Sequence, residues 1–289
     1  MGSARRARRL VARTLIYVGA LATLLYAVLP FVWVMISSIS PAVELKATPP
    51  HLFPEHPTLE NYQRLLFDTD PGSVAASEFK RALLNTVIVG VAVTFGALVV
   101  GSLAAYAFAR MRFRGGGTAF LLVVFTQMLP SIALAIPLYV LLSRFELVNT
   151  LGGLVLVYSS FVLPFVVWVM RGYFQSIPRE LEDAALIDGC SRLGALLRVV
   201  VPLSAPGLVA TAIFSLLAVW SEFLLAVIFT STEASKTVSV VAAEFSGRFS
   251  LDYGGLTASA VLASLPPVLF AVLTQRFIIS GLTSGGVRG

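Results

Sequence analysis

Few residues in this 289-residue chain are of a kind that makes or breaks bonds, and their spacing narrows the options further. Cys190 is the only cysteine, so no internal disulfide forms, and with His51 and His56, the only histidines, it makes no metal-ligand pattern. The lysines are Lys46, Lys80 and Lys236; none follows a glycine, so the Gly-Lys phosphate loop of an ATPase is missing. No catalytic group, metal site or bound cofactor is assigned. What remains is polar chemistry in apolar surroundings. Glu222 stands in a long uncharged stretch, and a carboxylate at membrane depth is costly unless it faces a protein interior or a wet cavity. With Gln127 and Trp220 it is a candidate for a solute pathway or gate; a structural polar contact, or a helix boundary that leaves it outside the apolar layer, are the alternatives.

The segment QSIPRELEDAALIDGCSRLGALLRVVVPLSAP, residues 175–206, has a different character. Pro178 suits the first position of a helix, Glu180, Glu182 and Asp183 put negative charge in its first turns, and Gly189 can take the left-handed conformation that stops it. About 11 residues rise only about 17 Å, too short to cross a bilayer. Leu181, Ala184 and Ala185 share a face on which two alanines let another surface approach the backbone. Ser191 caps a second helix bearing Leu193, Leu196, Leu197 and Val200, ended by Pro202. The pattern predicts a helix, turn and helix docking element.

The elements that position these residues follow from composition. The chain is 57% hydrophobic and only 12% charged, with a mean hydropathy of +0.88, which excludes a soluble enzyme and predicts an integral membrane protein. Six gaps between consecutive charges each hold at least 23 uncharged residues, enough to span about 30 Å of hydrocarbon as helix. Runs such as LLVVFTQMLPSIALAIPLYVLL are apolar on all sides, so the class is all-α and not a barrel. The spans are expected near Leu15 to Ser37, Leu84 to Phe108, Thr118 to Leu142, Leu151 to Tyr173, Gly207 to Thr230 and Leu256 to Phe277. Pro130 and Pro137 predict a hinge or kink in the third, and Pro202 and Pro206 delay the start of the fifth, which leaves Glu222 inside it.

Fourteen of the 21 Lys and Arg residues lie at the amino terminus, in the second-to-third and fourth-to-fifth loops and in the tail. The positive-inside rule then puts both termini in the cytoplasm, and the net charge of +6 is read as topology before nucleic acid is considered. The apolar run after the first arginines is too long for a signal peptide and reads as an uncleaved first helix. In the first outer loop, Leu59, Tyr62, Leu65 and Leu66 have the spacing of a short amphipathic helix lying on the surface. A second outer loop, Ser231 to Gly255, is polar and offers a surface to an external partner.

Asp183-Ala184-Ala185, three residues, Gly189, nine residues, then Val199-Val200-Val201-Pro202 resembles the EAA loop of binding-protein-dependent ABC importer permeases. That pattern is Glu-Ala-Ala, three residues, Gly, nine residues, Ile, any residue, Leu, Pro; Asp183 replaces Glu, Glu182 beside it is placed to share the role, and valines replace Ile and Leu. LENYQRLL, MLPSIALAIPLYVLL, WSEFLLA and QRFIISGLTSGGVRG extend the likeness to the maltose-type carbohydrate permease family, with Ser221 where those chains often carry Asn. The resemblance implies the six-helix type I importer permease fold in a bacterial or archaeal cell (inner) membrane. It implies an N-terminal segment over residues 1–80, a permease core over 81–277 with a coupling loop at 175–206, and a tail over 278–289. It further implies a second homologous permease subunit, two ATP-binding cassette subunits that hold ATP and Mg, an external sugar-binding protein, and a sugar as solute. Glu182, Asp183, Ala184, Ala185, Gly189 and Pro202 would couple to the ATPase, with Gly281, Leu282, Thr283, Gly285 and Gly286 as a second contact in an extended tail. Ser131, Tyr139 and Tyr158 would add hydroxyl and aromatic groups suited to a sugar. Rival readings are a permease for another solute and an ion-coupled carrier, which would need paired intramembrane charges.

Overall fold

The computed structural model describes residues 2–48, 51–67, 74–247 and 252–284, with side chains for 10–48, 51–67, 77–247 and 252–275. The regular elements described are all helical. In chain order they are α1 (Gly2–Ser38), α2 (Ala42–Leu45), α3 (Glu60–Leu66), α4 (Val74–Arg110), α5 (Gly116–Phe125), α6 (Ser131–Arg144) and α7 (Leu151–Ser176). There follow α8 (Arg179–Ile187), α9 (Arg192–Ala195), α10 (Val201–Leu203), α11 (Ala205–Trp220), α12 (Leu224–Phe229), α13 (Val238–Glu244) and α14 (Tyr253–Ser284). The chain forms two compact units, residues 1–76 with 242–262 and residues 77–241 with 263–289.

In the smaller unit, α1 leaves its apolar side chains exposed from Leu10 onward, Tyr26 at 85% and Phe31 at 69% among them. The short α3 is docked, and of the expected Leu59, Tyr62, Leu65 and Leu66 stripe Leu65 is buried while Tyr62 and Leu66 are half-buried. Asn61 and Leu65, four residues apart, turn inward, while Leu59 stays exposed. The Asn61 amide donates to the carbonyls of Ser38 (2.9 Å) and Ser40 (3.2 Å), and its oxygen accepts from Arg64, which also pairs with Asp252 at 3.3 Å. Gly254 is required beside it, since a Cβ there would stand 2.5 Å from Asn61 Oδ1. Polar bonding, not an apolar stripe, sets the orientation of this helix.

In the larger unit, α4, α7 and α11 pack through small residues. A Cβ at Gly101 of α4 would stand 2.7 Å from Val166 of α7, and one at Gly207 of α11 would stand 2.5 Å from the Tyr173 ring. Close backbone approach is the usual way to join helices in lipid, where burying apolar surface gains little.

Four helical stretches are long and apolar enough to cross a membrane: Leu10–Ser38, Ser77–Arg110, Leu151–Ser176 and Tyr253–Gln275. Two bent pairs raise the number to as many as six if each is one span. The expected third span is not a kinked helix. It turns by 101° between Met128 and Ser131, because Leu129, held extended ahead of Pro130, ends one helix while Pro130 caps the next. Pro137 stays inside α6. Ahead of the expected fifth span, Arg192–Leu203 meets Ala205–Trp220 at 79°, the interruption that Pro202 and Pro206 predict; the span itself is broken at Ser221, before α12 begins at Leu224.

The polar segment 230–237 is anchored by residues that span reading treats as ordinary. The Asn85 amide of α4 lies 3.2, 3.2 and 3.0 Å from the carbonyls of Glu233, Ala234 and Lys236. Thr86 Oγ1 accepts from the Val238 amide at 2.8 Å. Asn149, at φ +61°, accepts from the backbone of Ser231 (2.9 Å) and Thr232 (3.0 Å) and from the Ser235 hydroxyl. Asn85→Leu would remove the donor that these three carbonyls share, at a cost of about 1–3 kcal/mol. We expect this variant to insert normally and to be cleaved faster within 231–237 under limited proteolysis; unchanged cleavage would show that the amide does not hold the segment.

Candidate functional site

The docking element begins at α8. Pro178 stands one place earlier than expected, as the N-cap, and the helix runs for 9 residues. Its end is a complete Schellman turn. The Gly189 amide bonds to the Leu186 carbonyl (3.1 Å), the Cys190 amide to the Ala185 carbonyl (3.0 Å), and Gly189 sits at φ +88°, open only to a residue without a Cβ penalty. Ser191 then accepts from the Gly194 amide at 3.1 Å and starts the second helix. That helix does not stop at Pro202. It widens into a π turn over Leu196–Val200 and reaches Leu203, burying Leu196 and Val200 while leaving Leu193 and Leu197 exposed.

Two adjacent acids of α8 have opposite environments. Asp183 is exposed, whereas Glu182 is 6% exposed and is not the solvated dipole partner that its place in the first turn predicts. One Glu182 oxygen pairs with Arg110 Nε at 3.0 Å, and the other accepts from the Tyr106 hydroxyl. Arg110, itself 9% exposed, donates a further bond to the Ile177 carbonyl at 2.9 Å, just ahead of α8. Tyr106 packs edge-on against Phe174 of α7. The last turn of α4 therefore clamps both the entry to α8 and its fourth residue. The outward face shows Asp183, Leu181, Ala184 and Ile187, the last 86% exposed. Ala185 is half-buried, and Pro202 is exposed. Arg110 and Tyr106 carry no signal in the local pattern, since Tyr106 and Glu182 are 76 positions apart; an arginine ending an apolar run, with an acid on a short amphipathic helix, was the available hint.

The three pathway candidates do not converge. Glu222 is half-buried in the break between α11 and α12, where its carboxylate accepts from the Leu225 amide at 2.9 Å and caps the following turn. It lines a cavity of about 150 Å³ with Ser131, Tyr158, Phe161 and Leu225. The Tyr158 hydroxyl in that wall is buried and has no hydrogen-bond partner among the described residues. Tyr139 lies elsewhere, its ring 5.8 Å from that of Phe229. Gln127 donates to the Phe161 carbonyl at 2.8 Å, tying the turn after α5 to α7. Trp220 donates to the Ala263 carbonyl at 3.0 Å. The acceptor is significant: Pro267, four residues on, has no N–H to offer Ala263, and the indole supplies the missing donor. In the tail, Gly281, Leu282 and Thr283 are not extended but continue α14 to Ser284, since no stop signal precedes Gly285; Gly285 and Gly286 lie outside the described residues.

Long apolar helices, two of the apolar stretches broken at prolines, and one short helix clamped beside them define an all-helical, multi-pass membrane protein. The chain belongs to the family of binding-protein-dependent transport system inner membrane components, whose model matches residues 97–284. It is 36% identical to the trehalose transport system permease of Mycobacterium tuberculosis, over 96% of this chain and 99% of that protein. It is 34% identical to the trehalose/maltose transport system permease of Thermococcus litoralis, over 96% and 97%. It is 33% identical to the sulfoquinovosyl glycerol transport system permease of Agrobacterium fabrum, over 94% and 93%. In fold it is similar to a bacterial ABC transporter involved in import of the polysaccharide alginate, with a TM-score of 0.78 at 21% identity over 93% of this chain and 96% of that one.

Removing one member of a buried ion pair costs about 3–5 kcal/mol, because the other charge is left unpaired, whereas replacing both with apolar groups is often near neutral. Arg110→Met and Glu182→Leu are each expected to lower thermal stability of the purified protein sharply, and the double variant to recover most of the loss. A double variant no better than the worse single one would show that the two charges are not coupled.

Proposed function

We propose that this chain is one of two homologous membrane-spanning subunits of an ATP-driven importer, and that its solute is a sugar: a disaccharide, an oligosaccharide or a related glycoside. The relatives support the solute class, since they are named for transport of trehalose, of trehalose and maltose, and of sulfoquinovosyl glycerol. The observation that carries the subunit role is α8 itself, a helix fixed from beneath by Arg110 and Tyr106 while Asp183, Leu181, Ala184 and Ile187 stay uncovered. An exposed acid among apolar side chains on a rigid mount suits a protein partner.

In this reading the two bent pairs are single spans, giving six, with both termini and α8 in the cytoplasm by the bias of Lys and Arg. Two ATP-binding cassette subunits hold ATP and Mg, and this chain binds neither. Asp183, Ala184, Ala185 and Ile187 meet one ATPase subunit, Gly189 and Pro202 set the angles of the element, and Glu182 holds it to the spans. Residues 81–277 form the transporting core, with 1–80 as an added first span and loop, and the tail from 278 onward is a second ATPase contact. An external sugar-binding protein delivers solute on the side of segment 230–237. ATP-driven closure moves α8 as a rigid lever and alternates access across the membrane. Glu222, Tyr158 and Ser131 form a polar station on the solute pathway, where an unpaired buried hydroxyl is free to meet a sugar hydroxyl; Trp220 and Gln127 brace the helices around it.

Co-purification tests the assignment. The tagged chain should bring a second permease and an ATPase with it, and Gly189→Val, which forces a β-branched residue to φ +88°, should insert at normal levels yet cut initial sugar uptake by about tenfold or more. Uptake at the normal rate in that variant would count against coupling through α8.

A further inference from the structure

A cavity of about 440 Å³ lies where the ends of α4, α5 and α7 meet, and its lining is basic and aromatic with no carboxylate. Arg171 of α7 forms one wall. Its guanidinium stacks 4.0 Å over the Phe120 ring of α5, and its Nε points to the Phe108 carbonyl at the end of α4, 3.5 Å away. Phe108 in turn packs against Phe113 and Phe120, with ring centroids 5.9 and 5.7 Å apart. Stacking on this aromatic cluster holds a cation in place without neutralising it. Arg112 and Arg114, on the connecting loop, are exposed and make no ion pair among the described residues. Three guanidinium groups therefore surround one space with no acid to balance them.

The start of α5 adds donors. Gly115 takes φ +80°, the cap offers no side-chain bond, and the amides of Gly117 and Thr118 have no hydrogen-bond acceptor among the described residues. Gly117 lines the cavity with open space where a Cβ would stand, so nothing shields that helix end. Unpaired amides at a helix start, beside arginines, favour a phosphate oxygen. The rim is apolar: Met111 and Phe113 are 41% and 48% exposed. A free anion has no use for such a rim, whereas a phosphodiester carrying acyl chains does. We propose that this cavity binds the headgroup phosphate of an anionic phospholipid at the end of the spans, with Arg112, Arg114 and Arg171 on the phosphate and Met111 and Phe113 along the chains.

The site needs only its place at the shared end of three apolar helices, so it stands or falls independently of the solute. The test uses the intact, co-purified transporter, delipidated and then titrated with phosphatidylglycerol or phosphatidylcholine, with bound lipid counted by native mass spectrometry. The wild type should retain phosphatidylglycerol with about tenfold preference over phosphatidylcholine. Arg112→Gln/Arg114→Gln, at two exposed positions, should remove most of that preference, and Arg112→Lys/Arg114→Lys should keep part of it. An unchanged preference in the Gln variant would overturn the proposal. So would full displacement of phosphatidylglycerol by millimolar inorganic phosphate, which marks a free-phosphate site. Loss of the ATPase from the Gln variant with lipid selectivity intact would mark a protein contact instead and would equally overturn it.

Discussion

A guanidinium cannot be held away from water without an opposite charge beside it, and Arg110 is held at the end of an apolar helix at 9% exposure. Glu182 supplies that charge, so the position of α8 is dictated by the end of α4 as much as by the chain that leads into it. The second Arg110 bond, to the Ile177 carbonyl, fixes the lead-in as well. In the proposed role of α8, a push on it would be delivered to α4 directly, in addition to its sequence neighbours α7 and α9. The Schellman turn at Gly189 and the cap at Ser191 keep the element from absorbing that push by bending at its own end. The proposed lever would thus work through a clamp as well as a covalent hinge.

The broken spans follow a related rule, that a carbonyl released inside lipid must find another donor. Proline releases carbonyls, and the protein answers each case differently. In α14 the helix continues through Pro266-Pro267, and the Trp220 indole donates to the Ala263 carbonyl that Pro267 leaves free. At Leu129-Pro130 the helix ends, a 3-10 turn closes it, and the chain turns through 101°. At Ser221 the helix ends without a proline, and Glu222 meets the Leu225 amide that the next helix leaves open. The acid is thus placed where the backbone needs an acceptor, and it lines a small cavity beside the same break.

These contrasts explain what could be read from the residues and what could not. Gly189 and Ser191 act through bonds within six residues of themselves, so their roles as stop and start are visible in the local pattern. The choice between Glu182 and Asp183 is not local. Both satisfy the dipole of α8, and which one turns inward depends on Arg110 and Tyr106, far back in the chain. Asn85, Asn149 and Asn61 fail to stand out for the same reason: an asparagine in or beside an apolar run gives no sign of the distant carbonyls or amides that it serves. Of the Leu59, Tyr62, Leu65 and Leu66 spacing, Leu65 is buried and Leu59 is exposed, because the buried Asn61 amide turns the seven-residue helix toward its own side. The breaks near Pro130 and Pro202 are legible as prolines, though not their angles, whereas the one at Ser221 has no proline to mark it, and hydropathy is blind to the direction of the backbone.

Burial is a poor guide to what holds such a chain together. None of the most apolar stretch of α1 is buried and half of that in α7 is, yet both are suited to lipid, which is as apolar as leucine. Moving a leucine from lipid to a protein interior changes little, so apolar contacts select closeness without selecting orientation. Orientation has to come from groups that lipid cannot satisfy. In the larger unit those are the Arg110 pair, the Asn85 and Asn149 amides and the Trp220 indole, each of which ties one helix to a backbone or charge on another segment. In the smaller unit Asn61 does the same for α3. A chain with so little charge can hold a defined shape because its few polar groups are placed where the surrounding hydrocarbon leaves them no alternative partner, and the Arg112, Arg114 and Arg171 cavity stands apart as a place where cations are gathered with no carboxylate among the residues that line it.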